Sequence, residues 1–103
     1  MSKTLRRNET LDKAKALING PRAEEYGEAL TTHKNIATGW NIIAKNALAL
    51  HGEITAGHVA LMMDWVKTCR LCHTISSEDG WLDKVGYSSL GSEFSIAKDT
   101  KDN

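Results

Sequence analysis

The segment Val59–His73, V-A-L-M-M-D-W-V-K-T-C-R-L-C-H, limits the fold more than any other part of the chain. Its spacing reads as a strongly apolar helix with Lys67 and Arg70 set into its greasiest face. At about 100° per residue, Arg70 falls between Val59 and Met63, and Lys67 between Ala56 and Ala60. A long cation can snorkel from the edge of such a stripe, but from its middle it needs an anion. Another helix or a ligand must supply one.

The remaining elements also read as helices, so the expected fold is all-α, a compact bundle of a short N-terminal helix and three longer ones. The first runs from Glu9 to Asn19 with Leu11, Ala14, Leu17 and Ile18 on one side, and Gly20-Pro21 stops it. Residues 22–28, R-A-E-E-Y-G-E, form a short helix or a structured loop. A second helix spans Leu30–Leu50, with an apolar face of Ile36, Ala37, Trp40, Ile43, Ala44, Ala47 and Leu48, and His51-Gly52 closes it. His33 lies on the Trp40 side and reads as a core histidine.

Thr55 is a good N-cap for the third helix, and Ile54 can staple against Val59. Ala56, Val59, Met62, Met63 and Val66 make its main face, and Leu61, Trp65 and Cys72 a second strip. The fourth helix opens at Ser76-Ser77-Glu78-Asp79, with acids in the first turn where the dipole favours them. Leu82, Val85, Ser89, Leu90 and Phe94 are its expected core face, and Gly86, Ser89 and Gly91 would allow close approach. The expected organisation is a flexible terminus at 1–8, one helical domain at 9–96 and a disordered tail at 97–103.

Composition narrows the function classes. Hydrophobic residues make up 41 % and charged residues 25 %, and 13 cations balance 13 acids. That balance lacks the basic footprint of a duplex nucleic-acid binder but leaves room for a small anion, which needs only two or three local cations. No apolar run approaches the roughly 20 residues of a membrane span. The basic N-terminus lacks the apolar core of a signal peptide, so a cytoplasmic protein with reduced cysteines is expected.

Asp83 lies on the shoulder of the fourth helix's apolar face, with Asp79 one turn before it and Tyr87 one turn after. A short connection makes the third and fourth helices antiparallel neighbours, so Asp83 is the acidic counterpart of Lys67 and Arg70, and a pairing of Arg70 with Asp79 or Asp83 is geometrically natural. Two readings stand. One is a structural ion-pair lock between helices. The other is a phosphate or nucleotide pocket of Lys67, Arg70 and Tyr87, with the aspartates orienting the cations or holding a metal. Glu24, Glu25 and Glu28 have E-E-x-x-E spacing, either a magnesium site or a solvated acidic segment. Cys69-Arg70-Leu71-Cys72-His73 spells the C-x-x-C-H of haem attachment, but apolar spacing explains both cysteines as core residues. Neither haem nor zinc is expected. Trp40 could stack on a base if its face borders this region, and Trp65 and Trp81 could anchor a protein partner.

Four stretches together resemble a small-protein family of tailed phages and prophages, a domain of unknown function. They are N-G-P-R-A-E-E-Y-G at 19–27, N-I-A-T-G-W at 35–40, I-T-A-G-H-V-A-L-M-M-D-W-V-K-T-C-R-L at 54–71, and D-G-W-L-D-K-V-G-Y-S-S-L-G-S-E at 79–93. The motif positions are Arg22, Tyr26, Gly27, Trp40, Lys67, Arg70, Asp79, Trp81, Asp83, Gly86 and Tyr87, with departures at Glu28 and His58, where that family has Asp, and at Gly80, where it has Ser. The pattern is also similar to all-α (MazG-like) nucleoside triphosphate pyrophosphohydrolases, which hold magnesium with E-E-x-x-E and E-x-x-D. The first motif is readable at Glu24, Glu25 and Glu28, whereas Asp79 and Asp83 are four apart and do not form the second. K-x-x-R followed by D and Y resembles small phage nucleotide kinases that lack a P-loop.

What these resemblances imply is a phage-derived binder of a nucleotide or another phosphorylated small molecule. Lys67 and Arg70 would neutralise phosphate, Tyr26, Tyr87 or Trp40 would contact base or sugar, and Arg22 belongs to the same set. Asp79 and Asp83, with Glu28, would hold Mg2+. The implied chemistry is pyrophosphohydrolysis or phosphoryl transfer. Sequestration of a nucleotide defence signal without turnover, and a structural helical interaction module, stand beside it. A homo-oligomer is expected, because a third helix apolar on two sides is central or interfacial.

Overall fold

The computed structural model describes residues 3–20 and 29–97. Four helices account for them: α1 (Lys3–Asn19), α2 (Ala29–His51), α3 (Ala56–His73) and α4 (Glu78–Ser95). The all-α expectation holds, and the described residues contain no strand. Arg22, Tyr26 and Glu28, together with Glu24, Glu25 and Gly27, lie outside the described residues, as does the tail from residue 98.

Helix α1 begins six residues earlier than its apolar spacing indicates. Its first turns hold Lys, Leu and Arg, good helix formers that need no buried face to favour the helix. The hydroxyl of Thr10 donates back to the Arg6 carbonyl at 3.0 Å. Residues 5–19 are all exposed. Packing is instead concentrated between α3 and α4 and between α2 and α3.

The α2/α3 contact is held by two tryptophans that each donate to the other helix. Trp40 Nε1 donates to the Met62 carbonyl at 2.9 Å, and Trp65 Nε1 donates to the Asn35 carbonyl at 3.0 Å. The Trp65 indole lies over Gly39, where any side chain would overlap it. The inward stripe of α2 is Thr32, Ile36, Gly39, Ile43 and Ala47, while Ala37, Leu48 and the rim of Trp40 are exposed. His33 is no core histidine: it is exposed and its Nδ1 bonds the Ala29 carbonyl, 2.6 Å away in its own first turn. Gly52 ends α2 as expected, at φ 76 with its N–H on the Leu48 carbonyl at 3.1 Å, a left-handed conformation that glycine adopts without strain.

Thr55 caps α3, and the partner it uses is His58. The His58 backbone N–H donates to Thr55 Oγ1 at 3.4 Å, and the Thr55 N–H donates back to His58 Nδ1 at 3.1 Å, a capping box. Nδ1 must therefore carry a lone pair, which places the ring proton on Nε2. The swap of His for Asp keeps an acceptor where the box needs one. We expect His58→Ala to cost about 1 kcal/mol in thermal denaturation, and His58→Asp to retain or raise stability through the dipole at this end of the helix. Equal losses in both variants would contradict the box.

The buried apolar set is Ala47, Ala60, Met62, Cys69 and Leu71. Val59, Leu61 and Cys72, expected to be inside, are exposed. Burial, and then the Cys72 sulfur nearby, pushes the Cys69 thiol above its usual range and so keeps it protonated. On α4 the expected core face is turned outward: Leu82, Val85, Leu90 and Phe94 are all exposed. The side that meets α3 is Gly80, Lys84, Tyr87 and Gly91. Gly80 lies against the Leu71 side chain and Gly91 against the Ala60 methyl, so small residues do set the approach, but Gly86 is not among them. The polar residues of α3 that lie on this seam select this face: Asp64, Lys67 and Thr68 require partners that the leucine face of α4 lacks.

A candidate groove beside the α3–α4 seam

Helices α3 and α4 run antiparallel, so their contacts follow one register. From Gly57 to Leu71 along α3, the facing positions on α4 descend from Ser95 through Gly91 and Lys84 to Gly80. The turn is made by Thr74–Ser77, with the Ser77 N–H on the Thr74 carbonyl at 3.2 Å and the Gly80 N–H on the Ser77 hydroxyl at 3.2 Å. Trp81 Nε1 donates to the Ile75 carbonyl at 2.9 Å, bracing that turn.

Two ion pairs cross the seam. Lys67 Nζ lies 2.8 Å from an Asp83 oxygen. The anion demanded by the apolar stripe thus comes from a helix, and Lys67 needs no ligand. With Asp83 about half exposed, such a pair contributes on the order of 0.2–1 kcal/mol. One turn along, Lys84 Nζ donates to both oxygens of Asp64, at 3.0 and 3.1 Å, and to the Thr68 hydroxyl at 2.5 Å. That triad escaped the sequence reading. Its signal was present: once Lys67 is set opposite Asp83, antiparallel register places Asp64 and Thr68 opposite Lys84. Arg70 and Asp79 are exposed at the turn end of the seam.

Past the triad the seam opens into a cavity of about 670 Å³ at the start of α3 and the end of α4. Tyr87 and Phe94 give it aromatic walls, Ser88, Ser92 and Ser95 hydroxyls, and Asp64 a carboxylate at its inner end. Thr55, Ala56, Gly57 and His58 contribute the capped first turn of α3, which contains no acidic side chain. His51 joins from the end of α2, its ring 5.1 Å from that of His58 in an edge-to-face contact.

Of the sequence candidates, Tyr87 lines this cavity, whereas Lys67, Arg70 and Trp40 are not among its lining residues. No sequence spacing links His51, His58, Asp64 and the three serines, because their convergence depends on three helix ends meeting in space. Among the described residues no group of three or more His, Cys, Asp or Glu side chains is placed to hold a metal ion. Asp79 and Asp83 lack a third partner there, and Asp83 is committed to Lys67.

The profile of a domain of unknown function, DUF6378, matches residues 9–95. The chain belongs to this family. Its DUF6378 region contains α2, α3 and α4, and thus the seam and the cavity. A curated relative is the Gene 55 protein of Mycobacterium phage L5, 31 % identical over 91 residues that make up 88 % of this chain. The chain spans about half, 55 %, of that relative's length. No solved structure matches this DUF6378 chain. No described helix is long and apolar enough to cross a membrane.

Proposed function

We propose that this DUF6378 protein binds a nucleotide, or a related phosphorylated small molecule, in the cavity between the start of α3 and the end of α4, in the cytoplasm of a phage-infected host. The observation that carries the reading is the composition of that cavity: two aromatic rings, three serine hydroxyls and two imidazoles beside a first turn of α3 that carries no acidic side chain. Its volume falls within the range of about 300–1,000 Å³ typical of small-ligand sites. Backbone N–H groups at the start of α3 suit phosphate oxygens, and Tyr87 suits a base or sugar. Lys67–Asp83 and Asp64–Lys84–Thr68 act as the frame that holds α4 in register with α3.

Binding without turnover, as in sequestration of a nucleotide signal, is one form of this reading. A magnesium-dependent pyrophosphohydrolase or phosphotransferase of MazG-like kind would need further ligands from 22–28, with Glu28 beside Asp79 and Asp83. A thermal-shift screen against nucleoside mono-, di- and triphosphates and cyclic nucleotides, with and without Mg2+, tests the reading. A ligand at one hundred times its dissociation constant is expected to add about 2.7 kcal/mol of stability. Tyr87→Ala is expected to abolish that gain while retaining the helical circular-dichroism signal. A flat response across the panel would remove the nucleotide reading, and a response confined to Mg2+-containing wells followed by product formation would favour the enzyme over the binder.

A further inference from the structure

Among the described residues, α1 and α4 each turn an apolar stripe to solvent. On α1, Leu11, Ala14, Leu17 and Ile18 share one side of a helix whose residues 5–19 are all exposed; Leu11 is 67 % and Ile18 70 % exposed. On α4, Leu82 at 59 % and Val85 at 68 % exposed lie on the side away from α3, in line with Ile96 just beyond the helix. An isolated helix of this length is marginal in water and draws its stability from packing an apolar face. Among the described residues, packing is concentrated in the α3–α4 and α2–α3 contacts, and the apolar side of α1 stays exposed.

The charges around the two stripes are complementary. At about 100° per residue, Arg6 and Lys15 flank the apolar side of α1, Arg7 continues it one turn before Leu11, and Glu9 and Asp12 fall on its opposite side. Asp79 and Glu93, both exposed, flank the outer stripe of α4, and Glu78, also exposed, lies in line with it one turn before Leu82.

We propose that the protein is a reciprocal homodimer in which the Leu11–Ile18 stripe of α1 in one copy covers the Leu82–Val85 stripe of α4 in the other. Apolar side chains meet at the centre, and the cations bordering α1 meet the acids bordering α4. Two such contacts close the dimer about a two-fold axis. The cavity beside Tyr87 opens elsewhere on α4, so the dimer and the ligand site are separate claims.

Light scattering coupled to size exclusion, on the full chain at tens of micromolar, tests the dimer. Wild type is expected at twice 11.3 kDa, with association weakening as salt rises. The double variants Leu17→Glu/Ile18→Glu and Leu82→Glu/Val85→Glu are each expected at the monomer mass, with the helical circular-dichroism signal retained. Mixed in equal amounts, they are expected to restore a dimer, since one intact α1 then meets one intact α4. Should an apolar variant lose its helices, Glu78→Lys/Glu93→Lys carries the same test through charge alone and is expected to shift the population toward monomer. A monomeric wild type overturns the proposal. So does a wild-type dimer whose two apolar variants fail to associate on mixing, which would place like helices against each other.

Discussion

Gly39→Ala is expected to lower the thermal midpoint sharply. On an exposed helix face the same change would be stabilising by about 1 kcal/mol, because alanine favours the helix over glycine. Here a Cβ would occupy the space of the Trp65 indole, and the neighbour that must move is a rigid ring rather than the end of a flexible chain. Moving it also strains the bond from Trp65 Nε1 to the Asn35 carbonyl, one of two indole donors joining α2 to α3. Overpacking of this kind costs roughly 1–3 kcal/mol. In a domain of this size each kcal/mol lowers the midpoint by about 4–8 °C. The sign is decisive: a raised midpoint would show that Trp65 does not lie on Gly39.

Leu71→Ala is expected to cost more still, about 2–5 kcal/mol by denaturant or heat. Leu71 is 4 % exposed and covers Gly80 at the turn end of the α3–α4 seam, so truncation opens a void that two helices must relax around. With so few buried apolar side chains in the described residues, none of them a fully buried large one, such a loss is a large share of the total. Leu48→Ala supplies the comparison. Periodicity places Leu48 on the core face of α2, but it is 57 % exposed, and its truncation is expected to stay within about 0.5 kcal/mol. Equal losses at Leu71 and Leu48 would contradict the packing described.

These pairs also show what could be read from the residues alone. Helix number, the Thr55 cap, the Gly52 stop and the opposition of Lys67 to Asp83 all follow from local rules: capping chemistry, glycine's access to positive φ, and antiparallel register across a short turn. The choice of face on α4 did not follow. Hydrophobicity alone turns Leu82 and Val85 inward, yet the seam is set by polar residues of α3 and by glycines at 80 and 91. Periodicity counts apolar side chains and does not weigh a buried-edge carboxylate that needs Lys84. The cavity was legible only at Tyr87, since His51, His58 and Ser95 come from three helix ends and share no sequence spacing. His58 was recognisable as a departure from the family's Asp, and its capping role emerged only from the geometry around Thr55.

The central claim, that the cavity at the start of α3 is a nucleotide site, is tested most directly by a ¹H–¹⁵N NMR titration of the full chain with nucleoside triphosphates and monophosphates. Saturable shifts are expected at the amides of Gly57, His58, Tyr87, Ser88 and Gly91, with Gly39, Trp40 and the α1 amides unmoved. Shifts spread over α1 and the outer side of α4, or no saturable shifts at all, would contradict it.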